Sequence, residues 1–304
     1  MFDIAAILIN YNSNSLTQKC VQSIINNSVL KKIQIIIVDN ASEKEDFIVL
    51  EHFCKNISFK NLQLIRNKVN TGFGAGNMTG FNFANAKYVA FINNDTLFLN
   101  DCFYILINAL QKDRSIGMVG GQSYSESGKK MIAFGHFASP YKEIFGQDLL
   151  EKINSKKFYR RKAEYNNPIK VNYVQGSFML MRTEDFNETG GFDTNIFLYY
   201  EETDLCLRLK KQNKSCYLIP EAKYVHFHGA STPRNIAIKT ELKISFLYII
   251  RKHYGLFWHQ IILNKMRIQY LFKIIFKPNY WYLFKVLLAG APLSKSLKVS
   301  QKIK

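Results

Sequence analysis

The sequence predicts an α/β protein with a mostly parallel central sheet, helices on both of its faces, and a basic helical C-terminal region. Short apolar runs alternate with stretches of helical spacing, the apolar runs end in Asn, Asp or Ser, and beyond Ser231 aromatic residues are interleaved with Lys and Arg. Apolar strands separated by helices imply a parallel sheet covered on both sides. Polar strand ends then gather at one sheet edge, the place where open α/β sheets bind ligands.

Ile4 to Ile9 is a first strand running into Asn10-Tyr11-Asn12-Ser13, and Leu16 to Ile25 has helical spacing through Leu16, Cys20, Val21, Ile24 and Ile25. Ile33 to Val38 is a second strand, ending in Asp39-Asn40-Ala41-Ser42. A helix over Lys44–Asn56, a strand over Leu62–Ile65 and a helix over Gly74–Asn85 lead to the run on which the chain pivots, Y-V-A-F-I-N-N-D-T from Tyr88 to Thr96. Its apolar residues fit a buried strand that delivers Asn93, Asn94 and Asp95 at its carboxyl end. An acidic residue there suits a divalent cation that in turn holds a diphosphate; a plain Asn/Asp-rich turn is the alternative.

From Gly120 to Lys170 the pattern weakens, which reads as loops and an acceptor-side insertion. Val171–Arg182 reads as a strand, with Gly176 marking a close approach of ligand or backbone. The densest polar cluster is Gly190–Leu209, where a helix over Thr203–Lys211 is headed by Glu201, Glu202 and Asp204. Helix-dipole stabilisation explains such acids structurally; behind the aromatic run Phe197-Leu198-Tyr199-Tyr200 they are also acid–base candidates. Cys216–Ile219 is a further strand, leading to His226 and His228, which are either structural or a ligand pair.

A length of 304 residues with 47% hydrophobic content supports one large or two small domains, divided here as 1–231 and 232–304. Of the net charge of +18, the second part carries +13, fourteen Lys and Arg less Glu241. No recognised nucleic-acid module accompanies this charge, so no nucleic-acid partner is expected. Apolar runs there fall short of the roughly 18 uncharged residues that span a bilayer. Basic helices rich in Trp, Tyr and Phe instead suit an anionic membrane interface, or else pack on the first domain or in a homodimer. The five cysteines are scattered without C-x-x-C spacing, which fits a reducing compartment rather than a disulfide framework or zinc site. No export signal precedes the first strand, so a cytoplasmic location, peripheral on the inner face of the membrane, is expected.

Five motifs in order give these patterns a family. They are I-L-I-N-Y-N-S from Ile7, I-V-D-N-A-S from Ile37, N-T-G-F-G-A-G-N from Asn70, F-I-N-N-D-T from Phe91, and G-G-F-D from Gly190 followed by Y-Y-E-E-T-D-L-C-L-R, with V-H-F-H-G-A-S behind them. Over about Ile4 to Ser231 the chain resembles the family 2 glycosyltransferases of the GT-A fold, in particular the bacterial rhamnosyltransferase-like branch that builds cell-surface polysaccharides. The resemblance implies an inverting enzyme that moves a sugar from a nucleoside diphosphate sugar, dTDP-rhamnose or a UDP-sugar, to a glycan or lipid-linked glycan with Mg²⁺ or Mn²⁺. It implies nucleobase and ribose contacts by Asn10, Tyr11 and Asp39, and a loop closing over the donor at Asn70, Gly72, Phe73, Gly76 and Asn77. The triplet Asn93-Asn94-Asp95 matches the D-x-D or N-x-D metal motif with one carboxylate, and His226, with His228 as second choice, completes that site. The general base falls on Glu202, where the family's usual Glu-Asp is Glu201-Glu202; Asp204 and Arg208 brace the helix or the diphosphate. A catalytically silent sugar-nucleotide-binding protein of the same fold is the alternative.

Overall fold

The computed structural model describes residues 1–154, 158–227 and 235–304; His228 and the boundary at Ser231 lie outside the described residues. The first part alternates strand and helix: β1 (Phe2–Asn10), α1 (Asn14–Asn27), β2 (Ile33–Asp39), α2 (Lys44–Asn56), β3 (Leu62–Arg66), α3 (Gly72–Phe81) and β4 (Ala86–Asn93). β1 lies parallel between β2 and β4, with Asn10 opposite Asp39 and Ile9 opposite Asn93, and β3 extends β2 with Arg66 opposite Asp39. Their polar ends therefore finish level, on one edge. The apolar runs alternate between faces, as period-two geometry requires. Ile4, Ala6, Leu8, Ile35 and Ile37 pack with Val21 and Ile24 of α1, while Ala5, Ile7, Ile36 and Val38 pack on the opposite face.

The chain continues through β5 (Thr96–Phe98), α4 (Cys102–Lys112), β6 (Ile116–Tyr124), β7 (Phe134–Gly135), α5 (Pro140–Phe145), α6 (Gln147–Ile153), β8 (Ile169–Val171), β9 (Tyr173–Val174), β10 (Phe178–Arg182), α7 (Thr183–Thr189), α8 (Glu201–Lys211), β11 (Ser215–His226), α9 (Ile236–Phe276) and α10 (Trp281–Leu288). The main sheet runs β3-β2-β1-β4-β10-β6-β11-β5, with β8 also on β11. β10 is antiparallel to β4 and β6, and β5 and β8 are antiparallel to β11, so these strands oppose an otherwise parallel sheet. This is the mostly parallel GT-A-like sheet that the sequence predicts.

Several expected elements differ: the stretch from Gly120 to Lys170, read as loops, holds the end of β6, β7, α5 and α6, and the helix expected over Gly74–Asn85 is α3, starting at Gly72 and ending at Phe81. Val171–Arg182 is not one strand: the Gln175 N–H turns away to Ala133 O, and the chain re-enters the sheet only at Phe178. That excursion places Gly176 beside the site. Cys216–Ile219 and the run to His226 form one strand, β11, across an irregularity between Ile219 and Lys223. Helix α8 starts at Glu201, so both glutamates sit in its first turn.

The basic C-terminal region is helical. α9 is broken at Gly255, whose φ of 86° and ψ of 175° belong to a region open essentially to glycine alone. Before the break, Ile244, Leu247 and Ile250 join Leu283 and Leu287 of α10 in a core that includes Ile196 and Leu207. This portion packs on the first domain. After the break Phe257, Ile268, Phe272 and Phe276 stand exposed. Among the described residues no helix is long and apolar enough to cross a membrane.

Candidate active site

A cavity of about 290 Å³ opens at the carboxyl ends of β1, β2 and β4. Tyr11, Asn70, Gly72, Phe73, Asn93 and Asn94 lie on its wall, with Phe197 and Leu198 of the aromatic run before the acids, and with residues given no role in the sequence analysis: Ser13, Asn40, Ile238, Leu297 and Gln301. Asn10, Asp39, Gly76 and Asn77 stand behind this wall. Asn10 is completely buried; its amide donates to Asp39 (2.9 Å) and Asp46 (2.8 Å), and its oxygen accepts from Thr17 (2.8 Å). Asp39 is buried beside Arg66, 3.5 Å away. These two residues fix the ends of β1 and β2. Asn94 also donates to Ser13 (2.7 Å) and Thr17 (2.8 Å), which ties the end of β4 to α1.

Asn40 pins the Gly-rich loop. Its amide donates to Asn70 and to Gly72 O, both at 3.0 Å, and its oxygen accepts from the Thr71 N–H at 3.1 Å. Gly72 has φ +81°, and a Cβ there would lie 2.1 Å from Phe197 O, so no other residue fits. The contact joins the loop to the segment that carries the acids, with the Phe73 N–H donating to Phe197 O at 2.9 Å. Gly76 serves packing instead: a Cβ would meet Ile9 Cδ1 at 2.8 Å.

Asp95 and His226 meet where β4 and β11 end. Both are buried, with Asp95 Oδ1 3.2 Å from His226 Nε2, and the Phe227 N–H donating to Asp95 O (3.0 Å) holds the two segments together. Asp95 Oδ1 accepts no hydrogen bond among the described residues.

The acids are positioned by two left-handed residues in succession. Tyr199 (φ 74°) and Tyr200 (φ 71°) turn the chain sharply into α8, in a conformation that non-glycine residues seldom adopt. Glu201 is buried towards α3, with its Cγ 3.5 Å from where a Gly74 Cβ would be, and its Oε1 has no hydrogen-bond partner among the described residues. Burial and the neighbouring Glu202 push its pKa well up. Glu202 points the other way; a Cβ on Gly176 would meet only Glu202 Oε2, 3.7 Å off. Burial raises the Glu202 pKa to about 7 against the opposing charge of Lys142 on α5.

Asp204, read from the sequence both as an acid–base candidate and as a brace for the helix, makes its contacts within the fold. It is completely buried and accepts from Arg208 Nε (2.9 Å), with His253 Nε2 and Lys252 Nζ each 2.7 Å away. Burial opposes its ionisation, yet the bond to His253 and the charges of Arg208 and Lys252 hold its pKa well below the usual carboxylate range. Asp204 clamps α9 onto α8.

The family model described as glycosyl transferase family 2 matches residues 5–190, from β1 through α7. This chain belongs to that family. Rhamnosyltransferase WbbL of Escherichia coli K12 is 25% identical over 255 residues, 81% of this glycosyltransferase and 92% of the relative. The N-acetylglucosaminyl-diphospho-decaprenol L-rhamnosyltransferase of Mycobacterium tuberculosis is 32% identical over 87 residues, 28% of each chain. Among solved structures, the mannosyltransferase PcManGT of Pyrobaculum calidifontis, in complex with GDP-Man and Mn²⁺, matches with TM-score 0.58 and 12% identity over 97% of this chain and 89% of its own. GalNAc-T7 with UDP, GalNAc and Mn²⁺ matches with TM-score 0.62 and 13% identity over 83% of this chain, which spans 48% of that larger one. Those likenesses establish the GT-A-like fold.

The donor groups in this glycosyltransferase fit a divalent cation. A carboxylate oxygen without a hydrogen bond and an imidazole nitrogen, brought together from separate strands, are the ligand types that Mn²⁺ accepts. Among the described residues no group of three or more His, Cys, Asp or Glu could hold a metal; a site of Asp95 and His226 alone would supply two of the roughly six ligands that such a cation takes. A bound cation would supply positive charge to a departing diphosphate.

Proposed function

We propose that this glycosyltransferase moves a sugar, with inversion at the anomeric carbon, from a nucleoside diphosphate sugar to a hydroxyl of a glycan or lipid-linked glycan in cell-surface polysaccharide synthesis. The observation that carries this reading is Glu202, a carboxylate with its pKa raised to about 7, next to open space at Gly176 and four residues beyond the donor-cavity wall at Phe197 and Leu198. A general base works best with its pKa near the operating pH. In this reading Glu202 takes the proton of the acceptor hydroxyl as that oxygen attacks. Tyr11, Asn70 and Phe73 hold the nucleoside, and Asn93 and Asn94 face the diphosphate. Asp95 and His226 would hold Mg²⁺ or Mn²⁺. Asn10 and Asp39 keep the nucleoside-binding strand ends in place.

The names of the Escherichia coli and Mycobacterium tuberculosis relatives favour a rhamnosyl donor, dTDP-rhamnose, over UDP-linked hexoses. The lipid-linked acceptor suits the basic region 232–304, whose exposed Phe257, Phe272 and Phe276 lie among its lysines. We assign that region to the cytoplasmic leaflet of the membrane, as a peripheral contact. The test is nucleoside diphosphate release from a panel of nucleotide sugars, with Mn²⁺ and an acceptor extract. Release from dTDP-rhamnose above all others supports the reading; release from none sends the chain to a sugar-nucleotide-binding role.

A further inference from the structure

Beyond α10 the chain returns across the molecule to the donor cavity. Leu297 and Gln301, with Ile238 at the start of α9, form part of the same wall as Tyr11, Asn40 and Asn70. The family match ends at residue 190, far upstream of this segment. Its path is fixed at both ends. Near its start, Ser296 Oγ and the Leu297 N–H donate to the two oxygens of buried Glu241, each at 2.8 Å. Lys298 Nζ then donates to Thr194 O, on the loop leading to the acids. At the far end the Lys304 N–H donates to Lys68 O at 2.9 Å, and Lys304 Nζ pairs with Glu43.

The anchors say which part of a donor this strap would meet. Lys68 follows β3 and Glu43 precedes α2, near in sequence to Asn70 and Asn40, whereas Asn93 and Asn94 end β4, on the other side of β1 in the sheet. The strap therefore runs from the Thr194 loop towards the β2–β3 side of the sheet, lining the cavity on the way. Gln301 Nε2 donates to Leu297 O at 2.9 Å, which fixes the amide and leaves its carbonyl oxygen able to accept from an N–H. Leu297 adds apolar cover.

We propose that Leu297 and Gln301 complete the donor site, contacting the nucleoside of a nucleoside diphosphate and setting which base is preferred. This rests on the reading that the cavity holds the donor. A pyrimidine imide offers one N–H to an acceptor such as the Gln301 oxygen.

Calorimetric titration of the full chain with UDP, dTDP and GDP tests it, alongside Gln301→Ala, Leu297→Ala and a chain ending at Gln301, which loses both Lys304 anchors. The loss of one hydrogen bond corresponds to about tenfold weaker binding. Gln301→Ala should bind UDP and dTDP about that much more weakly, narrow the preference over GDP, and raise the donor KM more than it lowers kcat. Leu297→Ala and the shortened chain should weaken all three nucleotides. Melting temperature identifies a variant that has lost its fold; Gln301→Ala, half-buried and away from any core cluster, is the one on which the decision rests. Wild-type affinity and wild-type base preference in Gln301→Ala overturn the strap assignment alone. A full chain that binds none of the three nucleotides overturns the donor reading and the strap with it.

Discussion

At the ends of β1 and β2, polar side chains hydrogen-bond to one another around single left-handed residues, Asn12 and Ala41, whereas between Phe197 and Thr203 two left-handed residues follow in succession and two carboxyl groups sit side by side with raised pKa values. Asn10, Asp39, Asn40 and Asn70 form an interlocked set of hydrogen bonds that fixes a cavity before any ligand arrives. On the base side, Tyr199 and Tyr200 are left-handed, and Glu201 Oε1 is buried without a hydrogen-bond partner among the described residues. Each such feature costs about 1–3 kcal/mol. Neutral amides held by one another suit the binding of a ligand, while proton transfer needs a group whose environment leaves it poised between two states.

The sharpest way to break that contrast is Glu202→Gln, which keeps shape and removes the base. Turnover should fall by about 10²–10⁴-fold with nucleotide affinity retained. Because burial raises the Glu202 pKa to about 7, wild-type kcat/KM should decline as pH falls below about 7, and this limb should vanish in the variant. Retained turnover would move the base elsewhere.

Next in size is the pair Asp95→Ala and Asn93→Ala. A carboxylate supplies a cation with charge and an amide only a weak oxygen, so Asp95→Ala should lose about a hundredfold in activity, and Mn²⁺ affinity with it, while Asn93→Ala loses far less. Equal losses in Mn²⁺ titrations would take the metal away from Asp95.

Glu201→Gln tests the cost itself. With the folded-state pKa raised above the unfolded one, Glu201 favours the native state in its protonated form, and that contribution is lost as pH rises through the folded pKa. The variant should melt like wild type near pH 4 and be more stable by on the order of 1 kcal/mol at pH 8. A gain of equal size at both pH values would refute the titration argument.

The smallest expected effect is at the membrane. The full chain should bind anionic vesicles in low salt and release them as salt rises, whereas a chain ending at Ser231 should not bind. Identical behaviour of the two would return the basic region to a packing role.

The sequence by itself determined the donor half. Strands β1, β2 and β4 are continuous apolar runs with polar endings, and a parallel sheet buried on both faces admits few other readings. The polar endings of β1 and β2 at Asn10 and Asp39, the Gly-rich loop at Gly72 and the acids heading α8 followed from local pattern and motif; that Asn10 hydrogen-bonds Asp39 did not. Local pattern could not show β10 inserted antiparallel between β4 and β6, because a five-residue apolar run carries no record of its neighbours' direction. Nor could it show where the adjacent glutamates point: after the left-handed turn at Tyr199 and Tyr200, Glu201 lies towards α3 and Glu202 lies beside Gly176. Asp204 became a clamp only because α9 brings Lys252 and His253 to it, and Leu297 and Gln301 reached the donor cavity only because the chain folds back across it. These assignments rest on contacts between residues far apart in sequence, and such contacts exist only once the core has fixed where each segment lies.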